Sequence, residues 1–136
     1  MIDGKSKDNT VAIVKEIYNR PVKIVSEKDK GIYDALNKGV REATGDMIWL
    51  VHCDDFLASP DVISDVIAAF HQHDVDGVYG DLQYVNKADT SKVIRFWKSE
   101  QFHPDLLKKG WMPAHPTLFL KKEVYEKHGL FNLDYN

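Results

Sequence analysis

The chain has a single cysteine, Cys53, so it forms no internal disulfide, which agrees with a reducing compartment. Long apolar runs are also missing. The longest, Met47 to Val51, falls far short of the ~20 residues a spanning helix needs, and the N-terminus lacks the charged-then-apolar plan of a signal peptide. The expectation is a cytoplasmic protein, at most peripheral to the inner membrane face. Basic residues are not in excess: 18 Lys and Arg stand against 21 Asp and Glu, for a formal net charge of -3, so no basic face calls for nucleic acid as a partner. There is no internal repeat, low-complexity tract or Gly/Ser/Pro-rich linker, and 136 residues suit one domain, 1-136.

What the chain does have is an alternation of helix and strand patterns. Val11, Ile13, Val14, Ile17 and Tyr18 follow helical spacing, with Asp8 or Asn9 as cap and Pro21 expected to close the helix. Val22 to Val25 is a short β-branched run expected as a strand. Ile32, Ala35, Leu36, Gly39, Val40 and Ala43 form a helical stripe, with Gly45 expected as its left-handed terminator. Met47 to Val51 is apolar at every position, the pattern of a parallel strand covered on both faces, and is expected at the sheet centre. Ser59, Pro60 and Asp61 announce a third helix, with Val62, Val66, Ile67 and Phe70 inward, and Gly77 to Gly80 reads as another strand. Leu82 to Val85 and Val93 to Trp97 then flank a polar segment as in an antiparallel hairpin, and shorter elements follow near Thr117 to Leu120 and Glu123 to Lys127. The order predicts an α/β sheet over 1-80, with a different style over 81-136.

In such sheets ligands bind beyond the carboxyl ends of the strands, so the polar loops 3–9, 26–31 and 52–56 draw attention. The last places Asp54 and Asp55 directly after the apolar strand. Adjacent carboxylates there repel unless a cation or donors hold them, and Mg²⁺ or Mn²⁺ bound together with phosphate oxygens would do so. The bland alternative is a solvated turn or a helix cap.

These residues resemble family 2 glycosyltransferases of the GT-A fold. The resemblance rests on Asp29-Lys30-Gly31-Ile32-Tyr33-Asp34-Ala35-Leu36-Asn37-Lys38-Gly39, on Ala43-Thr44-Gly45-Asp46, and on Asp54-Asp55 at matching spacing. The opening Asp3-to-Thr10 loop is similar to the family's Asp-x-x-Ser-x-Asp-x-Thr, and Tyr79-Gly80-Asp81 and His115-Pro116-Thr117 resemble its bacterial polysaccharide branch. The implied fold is a GT-A, Rossmann-like α/β domain with a mixed, mainly parallel sheet flanked by helices. Its nucleotide-binding part would be 1-80 and the start of its acceptor side 81-136.

The resemblance implies a UDP-, GDP- or dTDP-sugar donor, a glycan or lipid-linked acceptor, and inverting transfer in surface polysaccharide synthesis. Asp3 would bind the base, with Asp29 and Lys30 around base and ribose, and Asp54 and Asp55 would hold Mg²⁺ or Mn²⁺. Ser6, Asn37 and His115 join the nucleotide-sugar set by the same resemblance. Each has a local alternative: a turn and helix start for Ser6, packing at the helix edge for Asn37, solvation for Lys30 and a loop role for His115. His52-Cys53 stands where the family has Asn-Ala or Asp-Ala; His52 is expected to be locally hydrogen-bonded and Cys53 a small buried filler. His71 and His73 face different sides of a helix, which argues against zinc. Trp97, Trp111 and Phe102 are either a sugar-stacking wall or core.

Against the family pattern, a first strand is expected to be missing upstream of Asp3, and the general base is expected beyond Asn136. Truncation at both ends, a homodimer through the exposed sheet edge, and an inactive, self-associating remnant are the corresponding expectations. A nucleotidyltransferase is the other class; the lack of a Gly-rich phosphate loop before a helix counts against it.

Overall fold

Strands and helices alternate as far as Val78 in the chain, for which a computed structural model describes residues 1–135. In chain order the elements are β1 (Ile2–Asp3), α1 (Thr10–Ile17), β2 (Val25–Ser26), α2 (Ile32–Glu42), β3 (Met47–Trp49), α3 (Val62–Gln72), β4 (Gly77–Val78), β5 (Leu82–Val85), β6 (Val93–Trp97), α4 (Pro104–Lys108), a 3-10 turn (His115–Thr117), β7 (Phe119–Lys121) and α5 (Lys122–His128). They form two compact units, one of Met1–Asp46 with the segment returning at Lys122, the other of Met47–Lys121. Among the described residues no helix is long and apolar enough to cross a membrane.

In the first unit β1 and β2 pair in parallel, Ile2 with Val25 and Asp3 with Ser26. The strand expected at Val22 to Val25 is therefore shifted toward Ser26. Its register is set by β1, since the Val25 N–H donates to the Met1 carbonyl and the Glu27 N–H to that of Asp3. Helix α1 stops at Ile17, where Tyr18 already has extended backbone, ahead of the expected terminator Pro21. Asp8 instead organises the start, accepting from the Thr10 N–H at 3.0 Å.

Helix α2 follows the predicted apolar stripe and buries Val40 and Asn37. Gly31 precedes it at φ 137° and ψ 176°, a conformation that side-chain-bearing residues rarely adopt. The helix ends where Ala43 becomes extended (φ -70°, ψ 135°), two residues before the expected terminator Gly45.

In the second unit β7 lies between β3 and β4 and is antiparallel to both, so β3 and β4 run parallel to each other. The apolar run from Met47 was expected to be a parallel central strand. Its observed partner is antiparallel, Met47 opposite Lys121 and Trp49 opposite Phe119, and β3 is an end strand of this sheet. Burial is confined to the middle of the run: Ile48 is buried and Trp49 stacks on Phe119 with ring centres 5.0 Å apart, whereas Met47 and Val51 at its ends are exposed, so the run is not covered on both faces throughout. The hairpin β5–β6 forms as predicted, with a register shift at Tyr84/Val85. Its Arg95 lies over Tyr84 and Trp97, whereas Trp111 packs with Tyr79 and Phe102.

Candidate functional site

The predicted site residues fall into two groups, one in each unit. In the second unit β3 leads into a tight turn, closed by the Asp55 N–H on the His52 carbonyl at 3.2 Å. The Asp55 carboxylate folds back to within 3.4 Å of the His52 N–H, and Asp54 is exposed beside it. Cys53 is also exposed, not the buried filler expected, because it stands at the corner of this turn.

The 3-10 turn brings His115 to the same place. Trp49 donates its indole N–H to the Pro116 carbonyl at 2.8 Å. Thr117 donates its backbone N–H to Ala114, and its hydroxyl is within reach of the Gly80 carbonyl at 3.0 Å. With Ala114 buried, these contacts fix His115 edge-on to His52, ring centres 5.6 Å apart. The protein around the His115 imidazole lowers its pKa, His52 adds to this, and the Asp55 carboxylate opposes it.

Among the described residues no three His, Cys, Asp or Glu side chains are grouped so as to enclose a metal ion. Two neighbouring carboxylates are nonetheless hard oxygen donors. They fit Mg²⁺ or Mn²⁺, which complete their coordination with phosphate oxygens and water, better than a closed zinc cage.

In the first unit Asp3 is 4% exposed and accepts hydrogen bonds from the Ser6 N–H and from the hydroxyls of Ser6 and Ser26. These donors, Ser26 first, lower its pKa. The Ser6 N–H is shared between the two oxygens, so each takes two contacts: Oδ1 from the Ser6 N–H and hydroxyl, Oδ2 from the Ser6 N–H and the Ser26 hydroxyl. Asp29 is mostly buried and accepts from Lys38 Nζ at 2.7 Å. Lys30 is exposed, and its backbone N–H donates to Asp34 at 3.0 Å.

Asn37 has a different place from that expected of a nucleotide-sugar residue. It is buried, donates to the Phe131 carbonyl and accepts from the Phe131 N–H, so both ends of its amide are engaged within the protein. The expected general base lies outside the described residues. Two participants, Ser26 in the loop 26–31 and Lys38 in the family stretch, were given no role of their own by the sequence reading. Only Lys38 left a trace, as an i,i+4 partner of Asp34 on α2.

Residues 1–129 match the family described as Glycosyl transferase family 2. The chain belongs to that family. An uncharacterized glycosyltransferase of Mycobacterium tuberculosis (strain CDC 1551 / Oshkosh) is 38% identical over 69 residues, covering 51% of this chain and 26% of the relative. A PGL/p-HBAD biosynthesis glycosyltransferase of Mycobacterium bovis (strain BCG / Pasteur 1173P2) is 29% identical over 140 residues, covering 99% of this chain and 52% of the relative. This family 2 chain thus spans about half the length of the second relative, and its matched stretch covers about a quarter of the first.

A solved mannosyltransferase of Pyrobaculum calidifontis, in complex with GDP-Man and Mn²⁺, superposes with a TM-score of 0.67 at 20% identity, over 98% of this chain and 37% of that one. That likeness is one of fold, and the fold is α/β, of the GT-A type.

Proposed function

We propose that this chain binds a nucleotide-diphospho-sugar through a divalent metal and serves the transfer of the sugar, with inversion, to a glycan or lipid-linked acceptor in surface polysaccharide synthesis. The observation that carries the proposal is the meeting of His52 and His115 beside the Asp54–Asp55 turn, in a member of a glycosyl transferase family. The GDP-Man and Mn²⁺ bound by the mannosyltransferase of like fold support the same reading.

Asp54 and Asp55 would hold Mg²⁺ or Mn²⁺, which when bound stabilises the negative charge developing on the departing nucleoside diphosphate. His115, in its neutral form, has one ring N–H to donate to a phosphate oxygen. Asp3 accepts from a base N–H that takes the place of the long, shared Ser6 N–H contact, while the Ser6 and Ser26 hydroxyls fix the carboxylate's direction. Asp29 and Lys30 border the base and ribose. Asn37 takes no ligand, and the base that activates the acceptor is assigned to none of the described residues.

Calorimetric titration with UDP-, GDP- and dTDP-sugars, with and without Mn²⁺, tests this. The expected result is metal-dependent binding of one of them that is lost in Asp55→Ala. Absence of binding by all three would overturn the proposal.

A further inference from the structure

One ammonium group gathers the whole loop between β2 and α2. Lys38 Nζ lies 2.7 Å from Asp29, 3.0 Å from Glu27, 3.2 Å from Asp34 and 3.2 Å from the Lys28 carbonyl. Its side chain is 15% exposed, and those of Asp29 and Asp34 are 14% and 15%. An ammonium has three N–H donors, so with four acceptors all three are taken up and one is shared between two of them.

Asp34 carries the constraint further, because its carboxylate also receives the Lys30 N–H. At the far end of the loop the Glu27 N–H is tied to the Asp3 carbonyl. Residues 27–30 are thus fastened at both ends, with Lys38 at the centre. Asp29 is held so close to the opening loop that a Cβ on Gly4 would come within 2.9 Å of its Oδ2.

We infer that Lys38 is a positioning residue for the nucleoside end of the donor site: it sets the Asp29 carboxylate against the Gly4 backbone, next to Asp3, and so preorganises the loop that receives base and ribose. This rests on the donor-site reading above. The charges require such a device. Three carboxylates converge on a single nitrogen, and without it they repel one another and drive the loop open. A loop that must be reordered on binding loses affinity even when its ligand-touching side chains are intact.

The test uses the full chain with UDP, GDP and dTDP, each in the presence of Mn²⁺, with affinity read by calorimetry and folding by circular dichroism. For the nucleotide that the wild type binds, Lys38→Met is expected to raise Kd by about 10- to 100-fold, the range set by losing one hydrogen bond to a charged group. Lys38→Arg, which restores the charge, should recover most of that loss. A merely structural role would not make the loss non-additive with Asp29→Asn, so a double-mutant cycle separates the two: the double variant should bind about as the worse single one does.

If the wild type binds one nucleotide and Lys38→Met binds it equally well, the Lys38 proposal alone falls. If the wild type binds none, the donor-site reading falls and takes the Lys38 proposal with it. Additive effects in the cycle, or loss of the folded signal in both Lys38→Met and the milder Lys38→Gln, also overturn it.

Discussion

The Asn37 carboxamide and the Phe131 backbone form a reciprocal pair, Nδ2 to carbonyl at 2.8 Å and N–H to Oδ1 at 2.9 Å, across 94 positions of sequence. Phe131 also stacks on Tyr33, with centres 5.6 Å apart, and packs against Tyr125. The segment after α5 is thereby fastened to α2. Asn37→Ala leaves the half-buried Phe131 N–H and carbonyl without these partners, so a loss of about 1–3 kcal/mol is expected. Urea unfolding measures it; a loss below about 0.5 kcal/mol would mean that water replaces the amide without penalty.

Gly77 faces a tighter limit. A Cβ there would stand 2.6 Å from Leu120 Cδ2 and 3.3 Å from the Phe119 carbonyl, on the strand to which β4 pairs. Gly77→Ala is expected to destabilise the protein by about 1–3 kcal/mol as Leu120 is displaced. Pairing the change with Leu120→Ala should relieve part of the clash, giving less than the sum of the two single effects in thermal unfolding.

Asp3 supplies a pH dependence with a definite sign. Its pKa in the folded protein is below the ordinary 3.8, chiefly through the Ser26 hydroxyl. Its contribution to stability is therefore fully present above pH 3.8 and is lost as pH falls through the lowered value. Ser26→Ala should move the Asp3 midpoint up toward 3.8, as read from its carboxyl carbon resonance in an acid titration. An unmoved midpoint would assign the shift to Ser6 instead.

His115 titrates in the opposite chemical sense but with the same stability sign. Partial desolvation of its ring by the surrounding protein, aided by His52, holds its pKa below 6.5, so the neutral imidazole persists to lower pH in the folded protein than in the unfolded chain. Stability from this group is present above pH 6.5 and is lost as pH falls toward the folded midpoint. In metal-free protein, NMR titration should place that midpoint below 6.5, lower still in Asp55→Asn and higher in His52→Ala. A reversed order for the two variants would mean that the His52–His115 contact is not maintained in solution.

The elements legible without tertiary structure were those whose reason is local. Helix α2 follows from its apolar stripe, and the hairpin β5–β6 from two apolar runs around a polar turn, because each pattern decides burial within a few residues. Asp54 and Asp55 stood out for the same reason, as charges directly after an apolar strand.

What the tertiary structure decided depends on partners far along the chain. An apolar strand carries no mark of its neighbour's direction, so only the return of β7 made the pairing of β3 antiparallel. Nothing near Asn37 foretells Phe131, and nothing near Lys38 foretells Glu27 and Asp29, since the i,i+4 contact with Asp34 is the one part of that cluster set by helix geometry. Local spacing specifies which face of an element is buried; which side chain meets it there is settled by the packing of segments that sequence leaves far apart.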